Sequence, residues 1–183
     1  MLSAQQEQAI IRSILGGDKE QYATIVKEYQ QIVANLCFKL VGNKLDVEEV
    51  TQQVFVELYS ALPRFRQEAR LSTFIYRITV NVVSKMLKHD QRNVSYDPSL
   101  VHQNDDIQLS HEDQLLQEEQ HRRLHQAIGM LKQEQRTALV LYSFKDFSYN
   151  DIADVMQVSL SKVESLIFRA KKNLYKMLTT TTR

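Results

Sequence analysis

The chain has 183 residues and 21.4 kDa, the size of one ordinary domain or two small ones. With 43% hydrophobic and 25% charged residues it is not mainly disordered, and four glycines and two prolines are too few for a turn-rich β-sandwich or a glycine-rich nucleotide fold. The single cysteine, Cys37, excludes an internal disulfide framework and a multi-cysteine zinc site, and the net charge of +1 is what remains of opposing blocks.

The chain starts MLSAQQEQAIIRS, without the basic start and apolar core of a secretory signal. No apolar run approaches the roughly 20 residues of a membrane span. A reducing cytoplasm is therefore the expected location. Ile10, Ile11, Ile14 and Leu15 give a short apolar helix face, stopped at Gly16 and Gly17. Asp18 with Gln21 predicts a capping box. Tyr22, Ile25, Val26, Tyr29, Ile32, Val33, Leu36 and Leu40 then recur at helical spacing until Gly42. Asp46 with Glu49 predicts a second capping box, followed by Val47, Val50, Val54, Leu58 and Leu62 up to Pro63. Arg64 to Arg70 reads as a basic loop. Ser72 is expected to cap a fourth helix that buries Phe74, Ile75, Ile78, Val82 and Met86. Residues 62–92 hold seven basic and two acidic side chains.

Residues 93–120 hold seven acidic side chains and no Lys or Arg, and helical periodicity fails from Asn93 to about Gln117. A stretch this long without structure is unusual inside a compact domain, so it reads as a flexible acidic linker. Its charge suits a mimic of nucleic acid. Periodicity returns with Leu124, Ile128 and Leu131, and then with Ala138, Leu139 and Tyr142. Ser148 with Asp151 predicts a capping box for a helix burying Ile152, Ala153 and Met156. Val158 fills a turn, and Ser159 caps a last helix holding Val163, Ile167 and Leu174. Two short helices around a tight turn describe a helix-turn-helix. Its turn residue is Gln157 where glycine is usual, which implies a non-glycine residue at positive φ. The expected fold is all-α: a unit over 1–92, a linker over 93–117, and a helix-turn-helix unit over 118–183.

No glycine-rich phosphate loop or nucleophile elbow is present, so catalysis is not expected. His121 and His125 stand four apart, but no further metal ligands follow at a fitting spacing. No cofactor is expected. The last helix is more informative. A recognition helix offers its N-terminal side chains to base edges, here Leu160, Ser161, Lys162, Glu164 and Ser165. Arg169, Lys171, Lys172 and Lys176 suit phosphates. In the first unit Arg64, Phe65, Arg66, Arg70, Phe74, Tyr76 and Arg77 interleave aromatic and basic groups. Single strands are held this way, with rings on bases and guanidinium groups on phosphates. Phe65, in the loop, is the better stacking candidate, because Phe74 falls on the apolar helix face.

The run DVEEVTQQVFVELYSALPRFRQEARLSTFIYRITVNVV resembles the region-2 domain of bacterial sigma factors of the extracytoplasmic-function (ECF) class. The run LKQEQRTALVLYSFKDFSYNDIADVMQVSLSKVESLIFRAKKNL resembles their region-4 domain. The resemblance spans about residues 10–92 and 118–178, in the family's order. It implies binding to core RNA polymerase through the β′ clamp helices and β flap, recognition and melting of the −10 element, reading of the −35 element, and restraint by an anti-sigma factor. Asp46, Glu48, Glu49, Gln52 and Gln53 match the polymerase-binding helix. Phe65 to Arg70 with Asn81 match the elements that capture an extruded base, and Arg77, Lys85, Lys88 and Arg92 would hold the nearby backbone. Ser159 joins Ser161, Lys162, Glu164 and Ser165 at the −35 surface.

The sequence also departs from the family pattern. Phe74 replaces the usual Trp, and Lys85 the usual Asp. Glu164 and Leu166 stand where Lys and Arg are common, which suggests an altered −35 preference. Nothing after Arg183 suggests an added domain, so the minimal two-domain form is expected. The competing reading is a repressor or activator with a sensing bundle, which would bind its operator tightly as a dimer without polymerase. A helical enzyme built on the histidine pair and a protein-binding adaptor are further alternatives.

Overall fold

The computed structural model describes residues 2–42, 45–65, 70–90, 122–144 and 147–180. Among them are eight α-helices and no strand: α1 (Ala4–Leu15), α2 (Tyr22–Val41), α3 (Val47–Ala61), α4 (Leu71–Asp90), α5 (122–130), α6 (Gln133–Ser143), α7 (Tyr149–Met156) and α8 (Leu160–Thr180). The stretch 93–117, expected to be a linker, lies outside the described residues.

Helices α1–α4 form the first unit because each carries one apolar face. Helix α2 packs on α3, and Ile25, Val33 and Leu36 of α2 and Val50, Val54 and Leu58 of α3 are all fully buried in the same core. A Leu or Ile removed from water this completely contributes about 1.5–3 kcal/mol. Polar groups at the edges fix the register. The Tyr22 hydroxyl donates to the Phe55 carbonyl at 2.6 Å, tying α2 to α3. The Tyr29 hydroxyl donates to Glu7 at 2.5 Å, tying α2 to α1. Both phenols titrate far above the ordinary tyrosine range, chiefly because burial disfavours the phenolate.

Helix boundaries follow local chemistry. Ser3 caps α1 in a reciprocal capping box with Gln6. Gly42, at φ 58° and ψ −132°, ends α2 in a conformation a side chain would resist. Asp46 caps α3, accepting from the Glu48 N–H at 2.8 Å and the Glu49 N–H at 3.3 Å. Three expectations are corrected. The Asp46 cap is one-sided: the Glu49 side chain makes no return bond to the Asp46 N–H, so no reciprocal capping box forms there. Asp18 makes no side-chain cap; it precedes a 3-10 turn, Lys19–Gln21, and accepts from the Ser13 hydroxyl at 3.2 Å instead. Helix α4 starts before Ser72, since the Phe74 N–H already donates to the Arg70 carbonyl at 3.2 Å.

In the second unit α6 packs against α8, and α7 contacts both. The Ser148–Asp151 capping box forms. Gln157 takes the left-handed turn position at φ 54°. The Ser159 hydroxyl accepts the Lys162 N–H at 3.3 Å, at the start of α8. The buried face of α6 is Ala138, Val140 and Leu141, whereas Tyr142 and, on α5, Leu124 are exposed, contrary to the periodicity. Met156 and Leu174 are only half-buried.

The two units share one buried cluster. Helix α4 lies against α7, and α2 against α6. This second covering accounts for the burial of Tyr76 against Phe147 and Phe144; Val80 and Val83 are also buried outside the expected face, whereas Ile78 and Met86 of that face are only half-buried.

Candidate nucleic-acid interface

Arg70, Phe74, Arg77, Asn81, Lys85 and Lys88 recur every three or four residues, so one face of α4 and its N-terminal approach carries them. Arg70, Asn81, Lys85 and Lys88 are exposed. The Arg77 guanidinium lies 5.2 Å from the centre of the Phe74 ring. Phe65 stacks beside Phe74 with centroids 4.9 Å apart and planes tilted by 40°. A ring edge flanked by cations thus opens onto a basic row, with Phe74 itself 7% exposed and Phe65 half-buried. Phe74 serves mainly as the wall behind Phe65, because its position on the apolar face commits it to the core. Lys85 approaches Glu57 at 3.9 Å, with 81% of its side chain exposed, so the pair constrains it little. Arg64 is exposed beside Phe65, and Arg66 and Arg92 lie outside the described residues.

Tyr76 does not join this row. Two positions from Phe74 it points around the helix, is 8% exposed, and meets Phe147 at 4.7 Å and Phe144 at 6.1 Å. The aromatic-basic interleaving of the sequence grouped it with Arg77; the helical twist separates them.

On α8, Ser161, Lys162, Glu164, Ser165, Arg169, Lys171 and Lys172 are all exposed, as is the cap Ser159. Val163, Leu166, Ile167 and Ala170 form the buried face. Leu166 is therefore a packing residue, and of the two departures noted in this helix only Glu164 reaches the surface. The Lys162 ammonium donates to Glu134 on α6 at 2.9 Å. Lys171 sits over the Tyr142 ring at 4.2 Å, and Tyr142 meets Tyr149 at 5.6 Å. The Asp151 carboxyl, in the first turn of α7, is held below the usual carboxylate range, first by the Ser148 hydroxyl and also by Arg70 of the first unit.

Sequence reasoning missed Phe168. It is 68% exposed on α8, one turn beyond Glu164 and beside Arg169, where an apolar side chain can meet a thymine methyl group. Its lack of a place on the buried face was the available signal. Glu48, Glu49, Gln52 and Gln53 lie exposed along α3, with Gln52 donating to Glu48 at 3.4 Å, while Asp46 serves as the cap. Val56 extends that face at 60% exposure and was also missed.

His125 packs on Phe38 with ring centroids 5.8 Å apart, and His121 lies outside the described residues. No cluster of three metal-ligating side chains occurs among the described residues, and none of their helices is long and apolar enough to cross a membrane.

The sigma-70 region 2 model matches residues 25–93, and the sigma-70 region 4 model matches residues 121–174. The chain is 32% identical over 187 residues to the RNA polymerase sigma-H factor of Pseudomonas aeruginosa, covering 97% of this chain and 96% of that protein. It is 29% identical over 174 residues to the ECF RNA polymerase sigma-E factor of Escherichia coli K12, covering 91% of each. Among solved structures, CnrH in complex with the cytosolic domain of CnrY superposes with a TM-score of 0.67 at 19% identity, covering 94% of this chain and 96% of that one. The sigma factor RpoE of Bartonella quintana, in complex with the anti-sigma factor NepR, gives a TM-score of 0.67 at 19% identity, covering 87% and 98%. Both structural likenesses are of fold.

Proposed function

The chain belongs to the ECF class of RNA polymerase sigma factors, whose work is promoter recognition, and from that membership we propose how its residues divide the task. Residues 1–92 engage core polymerase and the −10 element, residues 118–183 read the −35 element, and 93–117 connect them. Glu48, Glu49, Gln52 and Gln53, with Val56, face the β′ clamp helices, and Asp46 holds the start of that helix. Phe65 stacks on an extruded −10 base while Arg64, Arg66, Arg70, Arg77, Lys85 and Lys88 hold the strand and Asn81 reads an edge. Phe74 braces Phe65. Ser159, Ser161, Lys162, Glu164, Ser165 and Phe168 address the −35 duplex, and Arg169, Lys171 and Lys172 its phosphates. The protein itself catalyses nothing and works in the cytoplasm.

The observation that carries this reading is the pairing of two exposed basic faces, one on α4 beside an aromatic ledge and one on α8. The first suits single strands, the second duplex. Polymerase sets their spacing, so two weak contacts reinforce each other through effective concentration. Tyr76 belongs to the −10 set only once the second unit has left it, so promoter engagement includes separation of the units. The covered arrangement suits restraint by an anti-sigma factor, the partner that RpoE carries in its solved complex.

Run-off transcription with core polymerase on a fragmented genomic library tests the reading. Discrete transcripts that require the protein, and that vanish with Phe65→Ala and Asn81→Ala, are expected. Absence of transcripts together with tight duplex binding by the protein alone would favour a repressor or activator instead.

A further inference from the structure

Resting on the assignment of α8 to the −35 element, we propose that Glu134 is a positioning residue for that reading: it anchors the Lys162 ammonium so that its remaining N–H groups address base edges rather than roam the phosphates. Lys162 is the third residue of α8, and its backbone N–H is held by Ser159. The base of the side chain is thus fixed where a recognition helix meets bases. Its far end donates to Glu134 at 2.9 Å. Glu134 lies in the first turn of α6, where the helix dipole favours its negative charge. Glu134, Ser161, Lys162, Ser165, Leu166 and Arg169 line an open groove of about 380 Å³ between α6 and α8.

An untethered lysine is a mobile point charge on a four-carbon stem, suited to any phosphate and carrying little sequence information. Tethering one of its three N–H donors biases it toward this position, by about 0–1 kcal/mol for a pair this exposed. The paired carboxylate also cancels the charge, so attraction to arbitrary backbone falls by about one phosphate contact. What remains is a directed donor among two serine hydroxyls, which can be matched to a guanine acceptor edge. With side-chain exposures of 44% for Lys162 and 62% for Glu134, the pair is accessible to DNA.

The test uses holoenzyme reconstituted from core polymerase and the full chain. The template pool keeps the −10 element of a promoter recovered by run-off transcription and randomises its −35 element. Glu134→Gln and Lys162→Ala are each expected to lose about fivefold discrimination at the same −35 positions, the low end of one hydrogen-bonded base contact. The double variant should lose no more than Lys162→Ala. Glu134→Asp should restore part of the profile, and binding of Glu134→Gln to promoter-free DNA should steepen with salt by about one counterion. Melting temperatures matching wild type would exclude misfolding as the cause. A wild-type base profile in Glu134→Gln, or changes at positions that Lys162→Ala leaves alone, would overturn the assignment. If wild-type protein yields no −35-dependent transcript, the −35 reading of α8 itself fails, and the assignment with it.

Discussion

The Tyr76 ring stands edge-on to Phe147, at 4.7 Å between centroids and 76° between planes, and this contact joins the two helical units. Phe144 packs beside it, and the Lys39 ammonium lies 4.8 Å from the centre of the Phe144 ring. An edge-to-face aromatic pair contributes about 0.5–1.5 kcal/mol beyond the area it buries, and a cation over a ring about as much. Phe147→Ala is expected to loosen the units. Single-molecule energy transfer between labels on α3 and α8 would report a longer mean distance, and an unchanged distribution would show that Tyr76 and Phe147 do not hold the arrangement. Lys39→Ala, at an exposed site, should move the distribution the same way by a smaller amount.

Arg77→Ala removes the cation from the Phe74 face and, on the proposed division of roles, one contact to the strand. Phe65→Ala removes the exposed part of the aromatic ledge. Stacking of a base on an aromatic ring contributes about 1–3 kcal/mol. Permanganate footprinting should show strand opening reduced at least fivefold in Phe65→Ala, with core-polymerase affinity retained. Equal opening in variant and wild type would remove Phe65 from the site.

Val56→Glu tests the outer face of α3. At 60% exposure the substitution should leave thermal stability within about 0.5 kcal/mol of wild type. Burying an unpaired carboxylate against a partner costs several times more, so affinity for core polymerase should fall tenfold or more. Full affinity would place Val56 outside the polymerase contact.

Asp151→Asn tests the α7 cap. The folded-state carboxyl titrates below its ordinary value of 3.8, so its ionised form is favoured by folding. That stability is fully present above the unfolded value and is lost as pH falls through the folded one. Melting curves should show a gap between wild type and Asp151→Asn that is constant from pH 7 to 5 and narrows below about pH 4. Capping interactions of this kind contribute about 0.5–2 kcal/mol at neutral pH. A gap that does not change with pH would assign the loss to packing rather than to charge.

Much of this protein was legible in its sequence because local rules act over a few residues. Apolar spacing gave α2 and α3, Gly42 their boundary, and Ser148 with Asp151 the cap of α7. Gln157 could be assigned a positive φ from its place in the turn alone. The basic row on α4 is also local, since helical twist sets which side chains share a face. Two runs of characteristic residues, in the right order, identified the family. Tertiary packing decided the rest. Whether Asp18 caps a helix depends on Ser13 reaching it across a turn. Tyr76 became a core residue, Leu166 a packing residue and Lys162 the partner of Glu134, because elements far apart in the chain meet there. Periodicity shows that a helix has an apolar face; only the neighbours that arrive against it determine how wide that face is, and which charged side chains are left for DNA.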